Sequence, residues 1–187
     1  MKLIKNQTGD ILEFGIFMGS GIVNFLTLAE LLEPHNWTRR IFGFDTFDGL
    51  RSEESDFTEL KPGMYKYSNQ EHLQKIIDLQ NENKFRPTNN VSLIKGDVVD
   101  TLPKFLQETP SFLPSLIYLD LDLYKPTKFI LDSLTPYLRP GCIIAFDELG
   151  MQKFSGETLA FNESNISKMG KLEKFEFAKV SFIQIQI

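Results

Sequence analysis

The stretch Leu12-Glu13-Phe14-Gly15-Ile16-Phe17-Met18-Gly19-Ser20-Gly21 constrains the fold more than any other part of the chain. Asp10 to Phe14 is an apolar run with the length of a buried strand. Gly15 to Gly21 is too rich in glycine to continue it, and Ile22 to Leu32 resumes with helical spacing. The reading is strand, glycine turn, helix. Glycine lets the backbone turn sharply and lets a ligand approach it closely. The helix that follows presents unpaired N–H groups and a partial positive charge. Glu13 ends the strand, so its carboxylate points into the crevice above the sheet. It is an acceptor for a cationic or hydroxyl-bearing ligand and a poor neighbour for a pyrophosphate.

The same alternation continues along the chain. Helix one spans about Gly19 to Leu32 and is stopped by Pro34. Buried strands are expected at Arg40 to Asp45, Val91 to Asp97, Ser115 to Asp120 and Cys142 to Phe146. Helices are expected at Gln70 to Leu79, Thr101 to Glu108, Thr127 to Leu138 and Glu157 to Met169. Thr46 to Ser68 is a long polar segment of the kind used as a lid or binding loop. The tail, Lys174 to Ile187, carries two alternating segments, Phe175-Glu-Phe and Phe182 onward, which suit antiparallel strands at the sheet edge. Five strands alternating with helices predict a doubly wound α/β sheet, mostly parallel, in one domain over residues 1–187. Seventeen phenylalanines fit a sheet packed on both faces.

Bulk properties narrow the function. A net charge of -5 argues against a nucleic-acid surface. The single cysteine, Cys142, excludes an internal disulfide and a multi-cysteine metal site, and reads as a buried thiol. No apolar run nears the ~20 residues that span a membrane, and Met1 to Gln7 has no leader-like core, so a cytoplasmic protein is expected.

Each of the five strands ends in an acid: Glu13, Asp45, Asp97, Asp120 and the pair Asp147-Glu148. In a doubly wound sheet the ligand lies outside those ends. One such acid is readily a cap or turn residue; five at one edge point to a site. Asp45, 26 residues after Gly19, is placed to bridge ribose hydroxyls, and Asp97 to meet an adenine. No Gly-x-x-x-x-Gly-Lys-Ser/Thr loop is present. Asp120, Asp147 and Glu148 would repel one another unless a cation joined them, and their hard oxygens suit Mg²⁺, Mn²⁺ or Ca²⁺. Asp122 is expected to stand behind them and to cap the helix starting near Pro126.

Six motifs occur in order: Glu-Phe-Gly-x-x-x-Gly-Ser; Gly-Phe-Asp-Thr-Phe-Asp-Gly-Leu; Gly-Asp; Leu-Asp-x-Asp-x-Tyr-x-x-Thr; Phe-Asp-Glu; and Gly156-Glu157-Thr-x-Ala160. Over roughly Asp10 to Glu163 the chain resembles the macrocin and mycinamicin O-methyltransferases, class I S-adenosylmethionine-dependent enzymes acting largely on sugar hydroxyls. The resemblance implies a Rossmann-like methyltransferase sheet. It implies that Glu13, Gly15 and Gly19, with the neighbouring Phe14, Ser20 and Thr46, line S-adenosylmethionine, with Asp45 on the ribose and Asp97 by the adenine. It also implies a divalent metal, Mg²⁺ or Mn²⁺, on Asp120, Asp147 and Glu148, binding two vicinal hydroxyls of a sugar-like acceptor and acidifying one of them. Asp120 is the candidate proton acceptor. The chain departs from the family in having Glu148 where a second Asp is commoner, and in having no helical extension before the first strand. A base histidine has only His35 and His72 to draw on, one in a helix exit and one at a helix start.

Two other readings compete. Gly15-x-x-x-Gly19-x-Gly21, Tyr124-x-x-x-Lys128 and Ser111 fit a short-chain NAD(P)-dependent dehydrogenase. Pro126 between Tyr124 and Lys128 disfavours a helix holding both, and leaves Tyr124 in a loop. The other is a methyltransferase-like domain that binds without catalysing. Phe57, Tyr65 and Tyr67 suit either stacking on a ligand ring or packing the long loop, with packing preferred, and a homo-oligomer stays open.

Overall fold

A computed structural model describes residues 1–51, 60–84, 87–176 and 178–186. Its strands are β1 (Asp10–Phe14), β2 (Ile41–Asp45), β3 (Val91–Lys95), β4 (Pro114–Leu119), β5 (Ile143–Phe146), β6 (Leu172–Lys174) and β7 (Ser181–Gln184). The helices are α1 (Ser20–Leu32), α2 (Gln70–Glu82), α3 (Val98–Glu108), α4 (Tyr124–Leu134) and α5 (Ser155–Glu163). The strands form one sheet in the order β3-β2-β1-β4-β5-β7-β6. The first five are parallel, and β7 and β6 close the edge antiparallel, as expected.

The apolar runs explain the layers. Side chains alternate across a strand, so Ile11 and Leu12 enter opposite cores. On one face Leu12, Phe14, Phe44 and Leu119 pack with Leu102 and Phe105 of α3, Ile130 and Leu131 of α4 and Phe161 of α5. On the other, Ile11, Ile41 and Ile143 pack with Ile22 and Leu26 of α1 and Leu73 and Ile77 of α2. Cys142 is a buried thiol, as expected. Among the described residues no helix is long and apolar enough to cross a membrane.

Several local expectations are corrected. Tyr124 is the first residue of α4, not part of a loop. Pro126 lies in the first turn, where a missing N–H costs nothing because that group would have no helical partner. α3 begins at Val98, capped by Asp97, earlier than Thr101. α5 ends at Glu163, and a 3-10 turn follows at Asn165–Lys168 in place of a helix reaching Met169. The outer tail strand is Leu172–Lys174; Phe175 lies beyond it and stacks on Phe182 at 4.4 Å. Much of the long loop, including Phe57, lies outside the described residues.

The amino edge of the sheet is held by Arg39, which is buried. Its guanidinium donates to both carboxylate oxygens of Glu33, to Ser115 Oγ at 2.8 Å, and to the carbonyls of Ile4, Gln7 and Gly9. Every donor is used, so residues before β1 are tied to the body. Arg39→Met would strand a buried Glu33 carboxylate and three carbonyls. Loss of about 3–5 kcal/mol of unfolding free energy is expected, read from urea denaturation; a loss under about 1 kcal/mol, the worth of a surface pair, would refute the network's role.

Candidate active site

β1 and β4 are neighbours, but the chain leaves β1 toward β2 and β4 toward β5. At this reversal a crevice opens beyond the carboxyl ends. The glycine loop fills its floor. Gly15 has φ 86°, and a Cβ there would stand 1.9 Å from the Asp120 carbonyl oxygen. Gly19 has φ 88° and caps α1; its Cβ would meet Leu73 at 2.2 Å. A Cβ on Gly21 would lie 1.9 Å from Glu13 Oε1. Around this floor Phe17, Phe47, Tyr65 and Asp122 also adopt positive φ, at 50°, 55°, 58° and 61°. Such backbone is costly for side-chain-bearing residues and gathers at functional sites.

The expected cofactor residues occupy this crevice in different ways. Glu13 is buried, and its Oε2 has no hydrogen-bond partner. Burial, and then the charges of Asp120 and Asp45, hold its carboxyl well above the usual range. Asp45 is spent on the loop: Oδ2 accepts from the N–H groups of Ile16 (2.7 Å) and Phe17 (2.9 Å), and Oδ1 from Phe47 (2.6 Å). Asp97 caps α3 through Val99 N–H and pairs with Arg51 at 2.9 Å. Thr46 Oγ1 donates to Gly49 O. The Phe14 ring lies in the core, stacked on Phe44 at 4.7 Å, so only its main chain reaches the crevice. Ser20, exposed, opens α1.

The ends of β4 and β5 bring together Asp120, Asp122, Asp147 and Glu148. Burial, and then Asp147 and Asp122, push Asp120 up to about 7; burial, and then Glu148 and Asp147, do the same to Asp122. Asp122 does not cap α4, whose cap position is Leu123 with no side-chain bond. Its buried carboxylate belongs with the other three. Asp147 Oδ1 accepts from Tyr118 OH at 2.6 Å, and its Oδ2 pairs with Lys179. Lys179 also reaches Glu148 Oε1 at 2.7 Å, while Glu148 Oε2 is buried without a partner. Among the described residues no group of three or more Asp, Glu, His or Cys side chains stands ready-made around a metal position. The donor chemistry nevertheless suits a hard cation: four carboxylates at the ends of two neighbouring strands, with one buried oxygen unpaired.

Sequence reasoning gave no site role to Lys179, Tyr118 and Glu157. Lys179 and Tyr118 carry no motif; their roles come from strand neighbours. Glu157, wholly buried, accepts from Leu121 N–H (3.4 Å) and Glu148 N–H (3.3 Å), so it braces both acidic strand ends. Its only signal was its place in the last motif. Tyr65 packs edge-on to Phe17 at 5.9 Å, which agrees with loop packing, but its phenol is also raised by burial and by Asp122, Glu148 and Asp120. It therefore rims the acids. His35 and His72 are exposed. The dehydrogenase pair is not formed: Tyr124 OH donates to Glu163, and Lys128 pairs with Asp132.

Residues 12–149 match a family model described as a methyltransferase domain. The chain belongs to this methyltransferase family. It is 27% identical over 150 residues to the 8-demethyl-8-(2,3-dimethoxy-alpha-L-rhamnosyl)-tetracenomycin-C 4'-O-methyltransferase of Streptomyces olivaceus. That match covers 78% of this chain and 55% of the relative, so the chain spans little more than half of that protein's length. Two solved structures of the calicheamicin methyltransferase CalS11 superpose with TM-scores of 0.91 and 0.83 at 32% and 33% identity, covering 98% of this chain and 74% of theirs. One is described as a TDP-rhamnose 3'-O-methyltransferase. MycE, solved with Mg, S-adenosylhomocysteine and mycinamycin VI, is alike in fold alone, with a TM-score of 0.55 at 16% identity over 98% of this chain and 46% of MycE.

Burial pushes Glu157 from 4.5 to about 8 against two N–H donors that lower it. Between those values the folded state holds a proton that the unfolded chain has lost, so this group's stabilisation is full below 4.5 and is lost as pH rises through about 8. Asp120 and Asp122 act in the same direction up to about 7. With EDTA present, the unfolding free energy is expected to fall from pH 5 to 8, and Glu157→Gln to flatten that fall by a few kcal/mol. A pH profile unchanged by the substitution would refute the assignment.

Proposed function

We propose that this protein transfers a methyl group from S-adenosylmethionine to a hydroxyl of a sugar or similar small polyol, assisted by Mg²⁺ or Mn²⁺. The carrying observation is the buried Glu13 carboxyl, its Oε2 without a partner, beside a glycine loop pressed against the end of β4. A buried carboxyl oxygen left there without a partner suits a ligand that brings a cation or a hydroxyl. The names of two relatives, a rhamnosyl-tetracenomycin-C 4'-O-methyltransferase and a TDP-rhamnose 3'-O-methyltransferase, support the acceptor class.

In this reading Glu13, Gly15, Gly19 and Ser20, with the main chain of Phe14, line the methionine end of the cofactor. Asp45 and Thr46 meet the ribose and Asp97 the adenine side. Asp45 keeps spare acceptor capacity, since a carboxylate offers about four lone-pair sites and three N–H groups are bound. Asp120, Asp147 and Glu148 would hold the metal, with Asp122 beside them. When bound, S-adenosylmethionine supplies an electrophilic methyl and the metal lowers the pKa of the acceptor hydroxyl. The protein's own part is positioning and charge. Asp120, at the end of β4 beside the acceptor side of the crevice, is the carboxylate assigned to accept that proton. Tyr65 and Phe17 would face the acceptor at the rim. Residues 1–187 act as one domain on a small molecule, and the net charge of -5 fits no nucleic-acid partner.

S-adenosylhomocysteine is expected to bind in isothermal titration, where NAD gives no heat. Methyl transfer to TDP-rhamnose is expected to stop with EDTA and return with Mg²⁺. Asp120→Asn is expected to lower kcat by about 10²–10⁴-fold with S-adenosylhomocysteine affinity kept. NAD binding in place of the homocysteine nucleoside would overturn the methyltransferase reading. Activity indifferent to chelator would overturn only its metal.

A further inference from the structure

Lys179 touches the acids of the proposed reaction but has no role in it. It precedes β7, whose Ser181 pairs antiparallel with Phe146 of β5. Extending that register one residue at a time sets Val180 opposite Asp147 and Lys179 opposite Glu148. The antiparallel edge therefore delivers an ammonium to the acidic end of a parallel strand. The side chain is 53% exposed along its length, yet its Nζ lies on Asp147 Oδ2 and Glu148 Oε1.

This ammonium occupies the oxygens a metal would need. Asp147 has its other oxygen on Tyr118 OH, so each of its oxygens already has a partner. Of the Asp147 and Glu148 oxygens only Glu148 Oε2 lacks a partner, and it is buried. A hard divalent ion takes six or more oxygen ligands, about 2.0–2.6 Å away, which leaves no room for an ammonium on the same atoms.

We propose that Lys179 is a resident counter-cation of the Asp147–Glu148 pair, which a divalent ion has to displace, so that this side chain sets how tightly the metal is held. The inference rests on the metal reading of Asp120, Asp147 and Glu148. Displacement needs no backbone change, because a half-exposed lysine swings into solvent by rotating its own stem. One positive charge leaves as two arrive, so the net gain on metal binding is smaller than at a bare carboxylate cluster.

The test is Mn²⁺ titration of the full chain by calorimetry, with free Mn²⁺ followed by electron paramagnetic resonance. Lys179→Met is expected to tighten Mn²⁺ binding by about tenfold or more, Lys179→Arg to leave it near the wild-type value, and Asp147→Asn to abolish it. Unchanged or weaker binding by Lys179→Met, with Asp147→Asn still abolishing it, would overturn the proposal and leave the metal reading standing. Equal tightening by Lys179→Arg would also overturn it, since the charge would then be irrelevant. No binding by either wild type or Lys179→Met would overturn both. A second measurement needs no variant: in the wild-type protein, acetylation of Lys179, followed by peptide mass spectrometry, is expected to run severalfold faster with Mn²⁺ than without. An equal rate would refute displacement.

Discussion

Gly15 lies so close to the end of β4 that a Cβ would stand 1.9 Å from the Asp120 carbonyl. That contact sets the geometry of the crevice. It brings the glycine loop under the acids of β4, lets Asp45 reach across to the Ile16 and Phe17 N–H groups, and seats Glu13 against the first turn of α1. The parallel pairing of β1 with β4, with Phe14 level with Leu119, supplies the register. Any side chain at position 15 would wedge the two strand ends apart.

The two ends of the sheet treat buried charge in opposite ways. At the amino edge Arg39 is buried with every donor satisfied, an arrangement that stabilises. At the carboxyl edge like charges are crowded and carboxyl oxygens of Glu13 and Glu148 go without partners. Unpaired buried polar groups are costly, so this edge is held together by other means: the Tyr118 hydroxyl, Lys179, and Glu157 bracing the backbone of both strand ends. Structure that stores such cost in one place is structure prepared for ligands.

Much of this was legible beforehand. Buried apolar runs of strand length, alternating with helical spacing, dictate a parallel sheet because only that layering covers both faces. Acids at the strand ends mark the crevice, since the fold puts all such ends at one edge. What failed was local. Tyr124 enters α4 because proline is harmless in a first turn, and Asp122 joins the acids because Leu123 takes the cap position. Asp45 and Asp97 combine a site position with capping of the loop and of α3, two roles that residue type alone does not separate.

The sequence by itself determined the fold class, the glycine turn and the acidic edge, because these follow from periodicity and chain direction over short stretches. Only the tertiary structure decided the partners of those acids. Lys179 meets Glu148 through an antiparallel register across the sheet, Tyr118 meets Asp147 from a neighbouring strand, and Arg39 joins segments that are distant in sequence. Such pairings depend on which strands become neighbours, and no local pattern of residues carries that information.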